Sequence, residues 1–173
     1  TLSLHDALPI FAIIRLSIDR FTALYEFLGN QNTSELLKLV AQRLRLCNLN
    51  ALMVAYLNRD DFVIVYELNH VQPSIQTICE QIRQYFNQPV KIAEQELIIT
   101  LSIGVAIYPD DADSASSLLK KAGQAMYSAK KQGRNRFCYF MPAIQEKAQT
   151  RQRLIADMHM ARILNNLNYI TSQ

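Results

Sequence analysis

Three carboxylates stand where strand-like segments end, and they are the first candidates for chemistry. Asp19 closes the apolar segment FAIIRLSID, while Asp60 and Asp61 separate two apolar runs in YLNRDDFVIVYEL. If these strands are neighbours, the carboxylates meet at one sheet edge, where they can hold Mg²⁺ together with substrate phosphates. Successive strand residues face opposite sides, so Asp60 and Asp61 cannot both ligate one metal if the strand begins there. An Asp-Asp pair is also typical of a plain hairpin turn, and spacing leaves both interpretations open.

A second candidate site is a group of four cations, Lys130, Lys131, Arg134 and Arg136. They stand at the end of a helix-like segment and in the turn after it. Positive side chains there complement the negative end of the helix dipole. The same residue types also bind phosphate, with lysine as a point charge and arginine as a bidentate donor. Periodicity does not choose between these two roles.

Three more residues on neighbouring segments have a packing interpretation. Gly104 interrupts an otherwise apolar strand, which indicates a bulge or the close approach of another part of the chain. Met126 and Tyr127 precede the cations on the same helix-like segment. We expect both to pack in the core rather than to contact a cofactor.

The elements that must position these residues can be read from the hydrophobic pattern. It predicts the order β-α-α-β-β-α-β-α-β with one further helix, in an α/β fold whose central, mainly antiparallel sheet of five strands is flanked by helices. Thr33 or Ser34 is the expected cap of the second helix. The predicted strands are residues 11–19, 51–57, 62–68, 96–108 and 136–140, and the predicted helices begin near residues 20, 34, 74, 114 and 142.

Composition excludes several classes of function. The 173 residues carry a formal net charge of +3, which is too mild to indicate a nucleic-acid partner, and half of them are hydrophobic, enough for a real core. Three widely spaced cysteines fit neither a disulfide framework nor a zinc site, which favours a reducing compartment such as the cytoplasm. No apolar run approaches the roughly 20 residues that a membrane span needs, so we expect no membrane contact from this segment.

Two segments together resemble the GGDEF domain of the diguanylate cyclase family. Residues 100–140 contain the family's SIG strand at 102–104, its helix motif as AMYSAK at 125–130, and GRN at 133–135. The segment LSIDRF is similar to the family's first-strand motif D-x-D-x-F-K. The signature segment, Asn58–Phe62 (NRDDF), stands where the name-giving G-G-D/E-E-F belongs. The resemblance covers residues 11–140 and implies the fold of that family.

The resemblance also implies an activity and the residues that would carry it. In the family, two facing domains each bind one GTP with Mg²⁺, and a ribose 3′-hydroxyl attacks the partner's α-phosphate to give cyclic di-GMP. Carried over by position, Asp60 and Asp61 are the signature carboxylates and Asp60 is a metal ligand. Lys130 and Arg134 would contact phosphate. Asp19 is the second aspartate of the first-strand motif and would be a weak second ligand.

Other family positions have changed. The first aspartate of the first-strand motif is Ser17, the phosphate-contacting lysine is Thr22, and the two residues that would contact guanine are Tyr25 and Ser34. Because a neutral hydroxyl is a poorer Mg²⁺ ligand than a carboxylate, we expect weak metal binding and weak or no GTP binding.

The signature glycines have changed as well. They are Asn58, which can keep a left-handed turn, and Arg59, whose side chain would occupy phosphate space. Gly123 replaces an aspartate of the helix motif. Leu49 and Leu52 replace the Arg and Asp of the family's inhibitory site, so we expect no such site.

The two ends of the chain complete the predicted organisation. Residues 1–10 are similar to a translated sequencing adapter, and we expect them not to be native; a native apolar leader is the alternative. Residues 11–141 are the predicted GGDEF domain. Residues 142–173 are similar to the connector helix and first residues of an EAL domain, the cyclic di-GMP phosphodiesterase.

We therefore expect a degenerate cyclase domain that regulates an attached EAL domain and can form GGDEF homodimers. The alternatives are an active diguanylate cyclase and a module that senses GTP without converting it. For the C-terminal segment, an ordinary amphipathic helix is the alternative to a connector.

Overall fold

The structure, a computed structural model, describes residues 9–48, 50–68, 73–142 and 154–165. Most of the predicted non-native segment, Leu49, and all of the predicted connector except residues 142 and 154–165 lie outside these residues. The chain divides after Phe140 into two compact units. In the second unit, residues 154–165 form a helix whose side chains are exposed.

The described residues of the first unit form seven strands and three helices. The strands are β1 (Ile10–Ile18), β2 (Met53–Asn58), β3 (Asp61–Leu68), β4 (Val90–Ile92), β5 (Gln95–Leu97), β6 (Leu101–Tyr108) and β7 (Arg136–Tyr139). The helices are α1 (Phe21–Cys47), α2 (Ile75–Phe86) and α3 (Ala115–Lys131). Serines accept hydrogen bonds from backbone N–H groups at the N-termini of α2 and α3, as Ser and Thr caps typically do.

Five strands form one sheet in the order β2-β3-β1-β6-β7. All pairs are antiparallel except β6–β7, which is parallel. The predicted α/β fold with a mainly antiparallel five-stranded sheet is therefore confirmed. Because β1 is central and β3 and β6 flank it, the C-terminal end of β1 lies beside the β2–β3 turn. The segments that carry Asp19 and Asp60 are therefore neighbours, as expected from the sequence.

The sheet has a core on each face because alternate strand residues point to opposite sides. Ile14 and Leu16 of β1 belong to the larger core, which includes α1 and α2 residues. Ile13 belongs to a smaller core with Leu118, Ala122 and Ala125 of α3. Arg15 and Ser17 have the parity of Ile13, which assigns them to the α3 face.

Helix α1 spans the two helices that were predicted between β1 and β2. Its backbone leaves helical geometry at Gly29, with φ 75° and ψ 174°, so the expected break exists. The expected caps are wrong: the hydroxyls of Thr33 and Ser34 donate to the carbonyls of Gly29 and Asn30, one turn back inside the helix. Hydroxyl residues close to a helix break usually predict an N-terminal cap, but these two donate hydrogen bonds to carbonyls of the preceding turn instead.

The predicted single strand over residues 96–108 is also wrong. Residues Gln95–Leu97 pair with β4 in a separate two-stranded hairpin, and β6 begins at Leu101. Ala93 and Glu94 at the turn of this hairpin both have positive φ. Since neither is glycine, the usual sequence signal for such a turn is absent.

Helix α3 packs unusually close to β6. A Cβ added to Gly104 would lie 2.0 Å from the Ala122 carbonyl oxygen and 2.2 Å from the Met126 nitrogen. The predicted close approach at Gly104 is therefore confirmed, and so is the packing of Met126, which is buried. Tyr127 is different, because it is 57% exposed and its ring faces Lys131. It follows Met126 on the helix and so points away from the sheet.

Two further observations concern the cysteines and membranes. Cys47, Cys79 and Cys138 are free thiols. None of the helices in the described residues is long and apolar enough to cross a membrane.

Candidate functional site

The signature segment forms the turn between β2 and β3. Asn58 pairs with Asp61 across the hairpin, next to an irregularity in the register. The left-handed residue is Arg59, with φ 49°, and not Asn58, where the sequence predicted it. The Tyr56 hydroxyl donates to the Arg59 carbonyl oxygen at 3.1 Å, which stabilises this turn without a glycine.

The Arg59 side chain lies over the start of α1. Its Nη2 donates to the Thr22 Oγ1 at 2.8 Å, and its guanidinium lies 6.0 Å from the centre of the Phe21 ring. Its Nε lies 4.0 Å from the Asp60 Oδ1. Thr22 stands where the resemblance places a phosphate-contacting lysine. The arginine therefore brings a different positive charge to that region, from the neighbouring hairpin.

Asp60 is held by β1 and approached by α3. The Ser17 Oγ donates to the Asp60 Oδ2 at 2.5 Å, and the Lys130 Nζ lies 4.0 Å from the same oxygen. The Ile18 N–H donates to the Asp60 carbonyl oxygen, which fixes the turn against β1. Ser17, which stands in place of one expected metal-ligating aspartate, therefore donates a hydrogen bond to Asp60, the expected ligand on the neighbouring turn.

Asp61 points to a different partner. The Arg15 Nη2 forms an ion pair with the Asp61 Oδ2 at 2.7 Å, and both side chains are largely buried. The two neighbouring carboxylates therefore have separate partners. Both partners lie on the α3 face, and Asp60 belongs to the turn before β3, so the alternation expected for strand residues does not separate the two.

Asp19 is buried and accepts three hydrogen bonds. The Ser102 Oγ donates to Oδ1 at 2.5 Å, while the Thr100 Oγ1 and the Asn135 N–H donate to Oδ2 at 2.6 and 3.0 Å. These contacts join the end of β1 to β6 and to the turn before β7. Asp19 is therefore a structural acceptor here, whatever else it binds.

An open groove of about 570 Å³ lies between the signature turn, the start of α1 and the end of α3. Five of the residues singled out in the sequence line it: Thr22, Arg59, Asp60, Lys130 and Arg134. Arg20 and Glu26 also line it, so four cationic side chains stand against two anionic ones, a net formal charge of +2. A groove with this charge attracts anions such as phosphates.

A smaller cavity of about 330 Å³ adjoins the groove, and Arg20 and Arg134 line both. Asp19 lines the smaller cavity and Asp60 the groove, so the two expected metal ligands face neighbouring spaces. The predicted phosphate pair, Lys130 and Arg134, does come together on the groove. Arg134 is placed there by a left-handed turn, with φ 64°, after α3.

Several positions of the predicted site do not line either cavity. They are Ser17, Tyr25, Ser34, Asn58 and Asp61. Tyr25 is 46% exposed, and the Ser34 hydroxyl donates within α1. Neither of these two residues therefore lines the groove.

Sequence reasoning missed three charged residues of this region: Arg15, Arg20 and Glu26. A signal existed for two of them. Arg15 is a charge inside an apolar strand, and Arg20 directly follows Asp19. Glu26 carried no signal, since it looks like any exposed residue early in a helix.

The donors present allow only a limited magnesium site. Within residues 9–48, 50–68, 73–142 and 154–165, no three His, Cys, Asp or Glu side chains are grouped to hold a metal. Mg²⁺ is commonly held by one or two carboxylates together with substrate phosphates. Asp60 Oδ1 accepts no hydrogen bond from the described residues, whereas both oxygens of Asp19 do. Asp60 would therefore be the main protein ligand, with Mg²⁺ depending on the phosphates of a bound nucleotide.

A family comparison agrees with the motifs. The family model described as "Diguanylate cyclase, GGDEF domain" matches residues 4–136. Among curated proteins, the chain is 34% identical over 152 residues to the bifunctional diguanylate cyclase/cyclic di-GMP phosphodiesterase MucR of Pseudomonas aeruginosa, covering 87% of this chain and 22% of that protein. It is 30% identical over 129 residues to the cyclic di-GMP phosphodiesterase NbdA of the same organism, covering 75% of this chain and 16% of that protein. The chain thus spans about a fifth of the length of these relatives.

Solved structures give the same result for the fold. An EAL/GGDEF domain protein from M. capsulatus superposes with a TM-score of 0.71 at 30% identity, covering 79% of this chain and 88% of that one. The active GGEEF domain of a diguanylate cyclase from Vibrio cholerae superposes with a TM-score of 0.67 at 27% identity, covering 76% and 83%.

Proposed function

Because the chain belongs to the GGDEF family, we propose that it serves cyclic di-GMP signalling as a degenerate cyclase domain which regulates an attached EAL phosphodiesterase domain. One observation carries the loss of catalysis. Ser17, at the position of the family's first metal-ligating aspartate, donates a hydrogen bond to Asp60 and so occupies an oxygen of the remaining signature ligand.

The reaction of the family depends on positioning and on neutralising phosphate charge. Mg²⁺, when bound, supplies most of that neutralisation at the phosphates. In this chain Asp60 would hold it, and Lys130 and Arg134 would bind phosphate oxygens. Arg59 lies across the start of α1, bonded to Thr22, where an incoming triphosphate would have to displace it. We expect these departures to lower turnover by at least 10²–10³-fold, the loss typical of removing one charge-stabilising contact.

An attached EAL domain is supported by the relatives. One is named a bifunctional cyclase and phosphodiesterase, a second is named a phosphodiesterase, and a structural neighbour is an EAL/GGDEF domain protein. In such an arrangement the GGDEF domain regulates through its packing or through a homodimer.

Purified protein with GTP and Mg²⁺, followed by chromatographic detection of cyclic di-GMP, tests the loss of catalysis. An intact cyclase run in parallel gives the reference rate. Turnover within tenfold of that reference would refute the proposal. If product forms, Asp60→Asn should remove it, whereas Asp113→Asn, at an exposed aspartate in the turn before α3, should not.

A second candidate is a domain that binds GTP without converting it. The net positive charge of the groove favours this, because Arg20, Lys130 and Arg134 remain even though both guanine positions have changed. Calorimetry separates the two roles. No heat at millimolar GTP, about the weakest useful affinity, would leave a purely structural role. Binding that Lys130→Ala abolishes and Lys120→Ala preserves would establish the sensing role.

A further inference from the structure

Arg15 is a charged residue in the central strand of the sheet. It lies opposite Val63 of β3 and Gly104 of β6, on the face covered by α3. Its Nη2 pairs with Asp61 at 2.7 Å, and its Nη1 donates to the Leu119 carbonyl oxygen of α3 at 3.4 Å. Its side chain is 25% exposed, and its buried Nε has no hydrogen-bond partner among the residues that the structure describes. Such a residue is costly to bury unless its charge is compensated.

Gly123 provides the space for this arginine. A Cβ built on Gly123 would lie 2.7 Å from the Arg15 Nη1 and 3.3 Å from its Cζ. Any other residue would therefore press on the guanidinium that pairs with Asp61. Gly123 is also the position at which the family's helix motif has an aspartate, whose carboxylate would compete with Asp61 for Arg15. The three residues, from β1, β3 and α3, form one unit, which we call the Arg15 cluster (Arg15, Asp61 and Gly123).

The cluster determines where the second signature carboxylate points. Asp60 lines the groove, but Asp61 does not. Its side chain is only 13% exposed and is held on the α3 side of the sheet. We propose that Arg15 is a positioning residue: it holds Asp61 beneath α3 and away from the groove, and it links the signature turn to the helix that carries Lys130. This role goes beyond the proposed regulation of an EAL domain, because it does not depend on whether GTP is bound or converted.

A double-mutant cycle on thermal unfolding tests the ion pair. We expect Arg15→Met and Asp61→Asn each to lower the melting temperature by roughly 5–10 °C, since each leaves a buried partner uncompensated. The melting temperature of the double variant should fall by much less than the sum of the two single losses, because the second change removes the charge that the first leaves unpaired. Arg15→Lys, which keeps the charge, should lose less than Arg15→Met. Additive losses would overturn the proposal.

A spectroscopic measurement separates positioning from general stability. In a held ion pair, rotation of the guanidinium is slow, and the two Arg15 Nη nitrogens should give separate ¹⁵N signals. Asp61→Asn should merge them, while Asp60→Asn, the matched change one residue away, should leave them apart. Merged signals in the wild type, or signals that Asp61→Asn does not change, would refute the assignment.

The role of Gly123 has its own test. Alanine favours a helix over glycine by about 1 kcal/mol, so Gly123→Ala should be more stabilising where Arg15 is absent. We expect the change in melting temperature caused by Gly123→Ala to be more positive in the R15M background than in the wild type. Equal changes in melting temperature in the two backgrounds would show that Gly123 does not provide space for the Arg15 side chain. Because none of these measurements uses GTP, their failure would leave the cyclase assay and its conclusion untouched.

Discussion

Replacing Gly104 by alanine should displace α3 from the sheet. The new Cβ would lie 2.0 Å from the Ala122 carbonyl oxygen, 2.2 Å from the Met126 nitrogen and 2.8 Å from the Met126 Cα. All three atoms belong to the backbone of α3 and cannot turn aside as a side chain can. Since ordinary contact begins at 3.4 Å, the helix must retreat by about 1.4 Å or the strand must bend.

The cost follows from the packing that this movement undoes. Overfilling a core typically costs about 1–3 kcal/mol, and a rigid backbone obstacle belongs at or above the top of that range. Alanine gains back about 0.5–1 kcal/mol relative to glycine within a strand. We therefore expect Gly104→Ala to lower the free energy of unfolding by about 3 kcal/mol, or roughly 10 °C in melting temperature.

Gly123→Ala is the matched control for this experiment. Its Cβ would also meet an atom at 2.7 Å, but that atom lies at the end of the long Arg15 side chain, which can shift further than a helix backbone can. With the helix-propensity gain of about 1 kcal/mol, we expect a net change within about 1 kcal/mol of zero. Urea unfolding of both variants, monitored by circular dichroism, measures the difference. Losses that agree within 1 kcal/mol would refute the reasoning, because backbone and side-chain obstacles would then be equivalent.

Two further predictions concern buried polar groups. Asp19→Ala should lower the free energy of unfolding by about 2–4 kcal/mol, because three donors lose their shared acceptor. Asp113→Ala, at an exposed site, should change it by no more than about 0.5 kcal/mol. Equal losses for the two variants in urea unfolding would contradict this prediction. Burial raises the pKa of Cys79 to about 12 from 9.0, that of Cys47 to about 11 from 9.0, and that of Tyr66 to about 12 from 10.0. The folded state therefore keeps protons that the unfolded chain loses above about pH 9, so stability should fall as pH rises from 9 towards 12, and replacing both cysteines by alanine should flatten that fall.

The sheet was predictable because its evidence is local and redundant. Apolar strand segments, turn residues and the motifs of residues 100–140 agree with one another, and they gave the five strands of the sheet. The β4–β5 hairpin was not predicted, because β5 is followed closely by the apolar residues of β6 and the two strands look like one in the sequence. The left-handed turn at Ala93 and Glu94 has no glycine to reveal it.

The candidate site was predictable only in part. Lys130 and Arg134 are close in sequence, but Asp60 is far from both, so no periodicity could bring it to them, and only the family resemblance did. The partners of the carboxylates could not be predicted at all, because they depend on which face each side chain takes. Arg15 was visible as a charge in an apolar strand, yet its pairing with Asp61 required the register of β1 against β3.

The hydrogen bond between Ser17 and Asp60 has an evolutionary consequence. A single reversion, Ser17→Asp, would replace a donor by a second carboxylate at a contact of 2.5 Å, and the two charges would repel unless a metal were already bound. Arg59 would still be bonded to Thr22, and Asp61 to Arg15. The Ser17→Asp change is therefore unfavourable alone, and it leaves the contacts of Arg59 and Asp61 in place. Restoring the family's residues at this turn therefore requires coordinated changes at Ser17, Thr22 and Arg59 rather than one substitution.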